Sequence, residues 1–272
     1  MFNFKESFNI TNKYIILATP LILFSLLSSL YILFSINGNL ISIVIAIVLF
    51  TLMLAAFLSG WFYMIKCCVQ NPDNDDPNSL IKEFPAGVGE YFLQTLGLMF
   101  NTFVFSSVML IISYFVGMKL IGDIGVSADA VSKAMESMTA LKAFMISLSQ
   151  EQLMRLNAWN LLLFGAVSIV YFLIMFYSPA LFFKEKNSFK AFWFALKDLF
   201  SGKFFKNLAL YLILFAAYFV LSILTTMFGA NIFMHFILTL VNFYYLVLAA
   251  VSVYNFYYNN YVKIGGNLDK TV

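Results

Sequence analysis

Four long segments of this 272-residue chain contain no charged side chain: residues 14–65, 91–118, 156–183 and 207–262. Their lengths are 52, 28, 28 and 56 residues. A helix needs about 20 apolar residues to cross the hydrocarbon core of a bilayer, so each short segment holds one span and each long segment holds two. The sequence therefore predicts an all-α, polytopic membrane protein with about six transmembrane helices.

The composition disfavours the other fold classes. Charged residues make up only 11% of the chain, whereas soluble domains contain about 25%. A membrane β-barrel would alternate apolar and polar residues along each strand, but residues 41–50 and 208–220 are almost continuously apolar. A cleaved signal peptide is also disfavoured, because the first apolar stretch is long and no small-x-small site follows it. We expect it to remain as the first helix.

Turn residues divide the two long segments into hairpins. Asn37, Gly38 and Asn39 divide the first, and residues 228–231 divide the last. Together with the short segments they give a single integral membrane domain over residues 1–272. Its predicted spans are at about 14–36, 40–65, 91–118, 156–183, 207–228 and 231–262.

The basic residues are distributed unequally between the two sides of this topology. The N-terminus, the 66–90 and 184–206 segments and the C-terminal tail together contain twelve, whereas the opposite side contains four. Basic residues are enriched in cytoplasmic loops. The sequence therefore predicts that both termini are cytoplasmic, in an integral protein of the cell membrane.

Short amphipathic segments precede the first, third and fifth spans. The clearest is the interfacial helix predicted at 188–206, where Phe189, Trp193 and Phe200 are among the apolar residues at helical spacing and Lys190 and Lys197 lie opposite. The second, over residues 80–88, is interrupted by Pro85. This pattern suggests three repeats, each an interfacial helix followed by a transmembrane hairpin.

The segment 119–155 is predicted to be an external amphipathic insert. Ser127 can cap a helix, and Ser149 with Gln152 forms a capping box for the next. Between these caps one apolar face is expected on a helix that lies on the outer surface or covers the bundle. It consists of Val131, Ala134, Met135, Met138, Leu141 and Met145.

The spans lack the groups that intramembrane chemistry requires. Ion-coupled transport and acid–base catalysis usually need a charged residue within the membrane, and the four segments contain none. A zinc protease needs a ligand cluster, but His235 is the one histidine. Calcium at Asp73, Asp75 and Asp76 and copper at the methionines are less favoured than a solvated loop and packing. We predict no catalytic residue, no cofactor and no metal.

Neutral polar residues in the spans allow two interpretations. They could line a polar cavity, or they could form hydrogen bonds between helices, each worth about 1 kcal/mol or less. We favour the second interpretation. The candidate cavity residues are Asn101, Asn160, His235, Thr239 and Asn242.

Aromatic residues gather at the end of the last predicted span. Amphipathic aromatic side chains favour the headgroup layer of a bilayer. This cluster therefore predicts an interfacial girdle, formed by Tyr254, Phe256, Tyr257, Tyr258 and Tyr261.

The stretch 177–210 resembles the membrane domain found beside glycerophosphodiester phosphodiesterases and related multi-pass families. The shared pattern is Pro179 near the end of a span, Glu185 after it, the amphipathic helix 188–200, and then Gly202 and Lys203 before the next span. The resemblance implies a helical membrane module without the catalytic activity, which belongs to a separate soluble barrel in that family. Pro179 also predicts a helix kink.

The leading functional expectation is a non-enzymatic membrane protein that organises or contacts lipid and partner proteins. Six lysines on the predicted cytoplasmic side should attract anionic lipid by about 1 kcal/mol each. Other membrane proteins or a second copy are further possible partners, and nucleic acid is not expected. The alternative is a carrier or channel for a neutral or weakly polar solute. Cys67 and Cys68 are expected to be free thiols, with their modification left open. The candidate lipid-binding lysines are Lys184, Lys186, Lys190, Lys197, Lys203 and Lys206.

The predicted orientation can be tested by cysteine labelling. In a chain whose Cys67 and Cys68 are changed to serine, Ser137→Cys should react with a membrane-impermeant maleimide on intact cells, because the insert is predicted to be external. Lys190→Cys is the control and should react only after permeabilisation. The reverse pattern would overturn the orientation.

Overall fold

The computed structural model describes residues 4–35, 40–73 and 76–263. Helices account for 87% of the structure, and no strand occurs in these ranges. Six helical segments are long and apolar enough to cross a membrane, which confirms the predicted fold class. They are Ile15–Leu33, Ile41–Gln70, Ser79–Leu120, Gln150–Phe183, Phe204–Phe228 and Ile232–Val262.

The helices follow one another through short connections. Three residues or ranges named in the sequence predictions lie outside the described residues: the turn at 37–39, the calcium candidate Asp75 and the basic residue Lys270. In chain order the α-helices are α1 Phe4–Lys13, α2 Ala18–Ser35, α3 Leu40–Gln70, α4 Glu83–Leu120, α5 Ala128–Ala134, α6 Met138–Ser147, α7 Gln150–Ile174, α8 Tyr177–Phe183, α9 Ser188–Leu199, α10 Phe204–Phe228 and α11 Ile232–Tyr257. Short 3₁₀ segments occupy Ile15–Leu17 and Pro77–Lys82, and a π-helical turn occupies Tyr258–Val262.

Contacts divide the chain into two compact units. The first comprises Met1–Asn101 and Leu173–Val272, and the second comprises Thr102–Phe172. Within the first unit, side-chain hydrogen bonds join consecutive spans. The Tyr31 hydroxyl donates to the Ala46 carbonyl at 2.7 Å, and the Tyr245 hydroxyl donates to the Leu214 carbonyl at 2.6 Å. The pairs α2–α3 and α10–α11 are therefore in contact, as the predicted hairpins require.

Three basic segments and the end of the last span meet at one end of the first unit. Lys13 Nζ donates to the Pro72 carbonyl at 2.9 Å, which joins the N-terminus to the 66–90 segment. That segment is joined to 184–206 by the ion pair of Lys186 with Glu90. Lys203 Nζ in turn donates to the carbonyl of Asn260, at the end of the last span. We call this the basic end.

The core of the first unit lies at the basic end. Its largest fully buried side chains include Tyr14, Tyr91, Tyr177 and Tyr257. Near the opposite end, large apolar side chains such as Ile41 are exposed. Lipid is as apolar as these side chains, so their exposure costs nothing in a bilayer. Tertiary packing is therefore concentrated where the chain leaves the hydrocarbon.

Pro179 disrupts the fourth span as predicted. The helix α7 ends at Ile174, and α8 begins at Tyr177 with Pro179 in its first turn. Proline has no N–H to donate, and its ring would clash with the carbonyl four residues earlier, that of Met175. The interruption therefore falls at Met175 and Phe176, just before the proline.

Two predicted segments have different boundaries in the structure. Residues 80–88 do not form a separate interfacial helix, because the 3₁₀ segment leads directly into α4 and Pro85 lies in the first turn, where proline is tolerated. The insert contains two short helices instead of one, and Ser137 caps the second. The predicted caps at Ser127 and at Ser149 with Gln152 are present as hydrogen bonds.

The packing of α9 generates a test of the fold. Ala195 lies fully buried on the side of α9 that packs on α8, so Ala195→Leu should overpack this contact and destabilise the protein by about 1–3 kcal/mol. The matched control is Ala209→Leu at an exposed position of α10, which should change stability by less than about 0.5 kcal/mol. Denaturant titration in mixed micelles measures both, and equal effects would contradict this packing.

Candidate functional site

The helix α9 has a small-residue side that attaches it to the protein. The Asn187 side chain caps its first turn by accepting a hydrogen bond from the Lys190 amide at 3.2 Å. Ala191, Ala195 and Leu199 then recur every four residues, which places them on one side of the helix. All three are fully buried, and α9 packs on α8. Because two of them are alanines, the helix lies close against its neighbour.

A second side of α9 exposes large aromatic rings. Phe189, Trp193 and Phe200 are spaced four and seven residues apart and therefore share a side. Their exposed fractions are 68%, 71% and 59%. Phe192 and Leu199 are also apolar residues of this helix, but these two contact the protein instead: Leu199 is buried, and the Phe192 ring meets Tyr177 edge-on at 5.2 Å.

Lysines occupy the remaining side of α9, next to the aromatic rings. Lys190 and Lys197 are seven residues apart, both are exposed, and Lys206 is exposed at the start of α10. Within the ranges that the structure describes, none of these three lysines forms an ion pair. We call Lys190, Lys197, Lys206 and the rings of Phe189, Trp193 and Phe200 the α9 surface.

The other three candidate lysines are engaged within the protein. Lys184 pairs with Asp198 and Lys186 pairs with Glu90, each at 2.7 Å. Lys203 donates to the Asn260 carbonyl at 2.7 Å. The pKa of Lys203 is lowered because partial burial strips water from its ammonium group and Lys206 repels it. The six predicted lysines therefore form two groups: three have a partner within the protein, and three form no ion pair in the described ranges.

Asp198 joins the ends of four helices. Its Oδ2 accepts from Lys184 Nζ at 2.7 Å and from the Tyr257 hydroxyl at 2.6 Å. Asn207 Nδ2 donates to the Leu199 carbonyl, and the Asn207 side-chain oxygen accepts from the Tyr261 hydroxyl. These bonds connect the end of α8 with α9, α10 and the end of the last span.

Sequence reasoning missed this network. The aromatic cluster at the end of the last span was expected to form an interfacial girdle, but Tyr254, Phe256 and Tyr257 are buried. An available signal was that Asp198 is the single acidic residue of the predicted interfacial helix, where it follows the basic Lys197.

The candidate cavity residues occupy different surroundings. Asn101 is buried, and its Nδ2 donates to the Tyr177 hydroxyl at 2.8 Å. Asn242 Nδ2 donates to the Leu238 carbonyl at 2.9 Å, and Thr239 donates to the His235 carbonyl at 2.8 Å.

The remaining contacts and exposures of the candidate cavity residues differ from one residue to the next. Asn242 also reaches Thr225 on α10 at 3.3 Å. The side chain of His235 is exposed, as is that of Asn160, which belongs to the second unit. These contacts agree with hydrogen bonding along and between helices, the interpretation favoured from the sequence.

Two adjacent cysteines lie near the end of α3. Cys67 and Cys68 are both free thiols, as expected, and Cys68 is buried. Within residues 4–35, 40–73 and 76–263 no group of three histidine, cysteine or acidic side chains is arranged to hold a metal ion.

The protein's class follows from the fold. It is an integral membrane protein with six helices able to span a bilayer. No family model, no curated protein and no solved structure matches the chain. The resemblance of residues 177–210 to the membrane domain beside glycerophosphodiester phosphodiesterases stays a prediction.

The Asp198 network generates a stability prediction. Asp198→Asn should destabilise the protein by about 1–3 kcal/mol, because Lys184 loses its counter-charge and Tyr257 loses a charged acceptor. The control is Glu151→Gln, which removes the exposed pair with Arg155 and should cost less than about 1 kcal/mol. Denaturant titration in mixed micelles measures both. An Asp198 variant no less stable than the Glu151 variant would contradict the role of this network.

Proposed function

We propose that this chain is a non-enzymatic membrane protein that organises or contacts anionic lipid and partner proteins through its basic end, with the α9 surface as the lipid contact. The single observation that carries the proposal is the arrangement of α9. The side of α9 that carries Ala191, Ala195 and Leu199 is buried against the protein, whereas its aromatic rings and its two lysines are exposed. These two lysines, and Lys206 at the start of α10, form no ion pair within the described ranges.

Each part of the α9 surface suits a different layer of a membrane interface. Tryptophan and phenylalanine on an interfacial helix enter the boundary between headgroups and acyl chains. Lysines beside them can reach the phosphate groups while their stems cover apolar surface. Each lysine near an anionic leaflet contributes about 1 kcal/mol of attraction. Three such lysines give a useful preference for anionic lipid without holding one lipid rigidly.

The charge distribution supports an orientation for this surface. Basic residues are enriched on the cytoplasmic side of membrane proteins, and the cytoplasmic leaflet is rich in anionic lipid. We therefore assign the basic end to the cytoplasmic side of the cell membrane. Exposed apolar side chains near the other end of the first unit leave room for contact with other membrane proteins or with a second copy.

The two other functional classes have less support. A carrier for a neutral solute would gather Asn101, His235 and Asn242 around one path, but the hydrogen bonds of Asn101 and Asn242 run to neighbouring helix groups and His235 is exposed. The non-enzymatic assignment rests on the four long segments, which contain no Asp, Glu, Lys or Arg, and whose single histidine, His235, has no carboxylate in its own segment.

Tryptophan fluorescence can test lipid contact at α9 directly. Trp193 is 71% exposed, and the emission lost in a Trp193→Phe variant isolates its signal. In liposomes, brominated phosphatidylglycerol should quench this signal more strongly than brominated phosphatidylcholine. Changing Lys190, Lys197 and Lys206 together to glutamine should abolish that preference, because the attraction to anionic lipid is lost, while quenching by phosphatidylcholine remains.

A matched control changes Lys119, Lys133 and Lys142 to glutamine, which removes the same charge from the opposite side. This variant should keep the preference for phosphatidylglycerol. The preference should also weaken as salt rises, since exposed charges are screened. Equal quenching by both lipids in the unaltered protein would overturn the proposal.

A further inference from the structure

A second cationic group lies at the basic end, away from α9. Lys66, near the end of α3, lies over the rings of Tyr63 and Tyr91, with Nζ 5.3 and 5.2 Å from the two ring centroids. Its Nζ also donates to the Tyr91 hydroxyl at 3.0 Å. Aromatic faces attract an ammonium ion electrostatically, so the rings replace part of the water that partial burial removes.

Lys186 approaches the same ring from the connection between α8 and α9. Its Nζ lies 5.4 Å from the Tyr91 centroid and pairs with Glu90 at 2.7 Å. The ionised side chains that act on Lys66 include Glu90 and Lys186. One carboxylate thus serves two ammonium groups, and the three side chains together carry a net charge of +1.

Lys184 has a carboxylate partner, whereas Lys66 has none within the described residues. Lys184 also lies over two tyrosine rings, but Asp198 neutralises it at 2.7 Å. Lys66 is half-buried and forms no ion pair within the ranges that the structure describes. The Coulomb attraction between an ammonium group and an anion is stronger where the ammonium group is partly removed from water, because the effective dielectric constant is lower there.

The surroundings of this group are rigid on one side and open on the other. Tyr91 is 2% exposed and stacks on Phe182 with ring centroids 4.3 Å apart. Gly87 allows Tyr63 to approach α4, because a Cβ at that position would lie 2.4 Å from the Tyr63 Cβ. Lys186 and Glu90 remain 59% and 39% exposed, so a ligand can reach the Lys186 ammonium group from the surface, and Lys66 is itself only half-buried.

We propose that Lys66 and Lys186, which both lie at the ring of Tyr91, bind the phosphate group of one anionic lipid. A phosphodiester carries one negative charge, which matches the net charge of the group. Each ammonium group has three N–H donors and uses one within the protein, at Tyr91 for Lys66 and at Glu90 for Lys186. Donors therefore remain for the phosphate oxygens.

The position of Lys66 favours a lipid over a soluble phosphate compound. It lies four residues before the end of the candidate span Ile41–Gln70, or about 6 Å along the helix axis. That depth corresponds to the headgroup layer, where an acyl chain can follow the apolar surface of α3. This inference rests on the proposed function and specifies one lipid site within it.

Lipid binding to the full chain in detergent can be counted by native mass spectrometry. The unaltered protein should retain one dioleoylphosphatidylglycerol in preference to dioleoylphosphatidylcholine. Lys66→Gln should lower the affinity for that lipid about tenfold, and Lys66→Arg should restore most of it because the charge is kept. The matched control is Lys82→Gln, an exposed lysine of the same end, which should leave the affinity unchanged.

Three outcomes would overturn the site. The first is equal retention of both lipids by the unaltered protein, a result that needs no variant to fold. The second is an equal loss of affinity in Lys66→Gln and Lys82→Gln. The third is displacement of phosphatidylglycerol by millimolar glycerol phosphate, which would assign the group to a soluble phosphate compound.

Failure of this site and failure of the α9 surface can be told apart. The Lys66→Gln variant should lose the retained lipid but keep the preferential quenching of Trp193 by brominated phosphatidylglycerol. The variant with glutamine at Lys190, Lys197 and Lys206 should show the opposite pattern. If Lys66→Gln removed both the retained lipid and the preferential quenching of Trp193, the Lys66 site would not be separate from the α9 surface.

Discussion

A charged side chain at the centre of a bilayer costs about 3 kcal/mol or more, and this cost organises the whole chain. It excludes charge from the four long segments and leaves lysine, aspartate and glutamate to the ends of the spans. Helices inside the lipid need little more than apolar contact and backbone hydrogen bonds. The ends of the spans must also provide partners for charged side chains. At the basic end, buried contacts provide them.

At the basic end, tyrosine rings stabilise several of the lysine ammonium groups. Lys66, Lys184, Lys186 and Lys203 each lie over at least one tyrosine ring at 5.1–5.6 Å. A ring face accepts a cation without needing its own counter-charge, so lysines can be held close to the hydrocarbon. This explains why the aromatic cluster at the end of the last span is partly core, although its composition is typical of a membrane interface.

Local features of the fold could be predicted from the sequence. The spans follow from the absence of charge, and the caps at Ser127 and Ser149 follow from short-range hydrogen bonding. The kink before Pro179 follows from its missing N–H. The caps and the kink depend on residues within about one helical turn, and each span depends on the composition of one continuous segment, so a single chain is enough to identify them.

Long-range pairing could not be predicted in the same way. The six candidate lysines are chemically alike, and the partner of each is set by helix packing. Lys184 meets Asp198, whereas Lys197, next to Asp198 in the chain, points away from the protein. The buried side of α9 could not be recognised from the sequence either, because Ala191 and Ala195 are less hydrophobic than the exposed Phe189 and Trp193.

The pairing of Lys184 with Asp198 determines the charge that α9 presents. The helix itself carries Lys190, Lys197 and Asp198, a net charge of +1. Because Lys184 neutralises Asp198 from the end of α8, the exposed part of the helix presents the two lysines alone, and Lys206 adds a third exposed positive charge at the start of α10. The same carboxylate accepts a hydrogen bond from Tyr257 on the last span. One inward-facing carboxylate thus fixes α9 to the spans and leaves its outward side uniformly positive, as contact with anionic lipid requires.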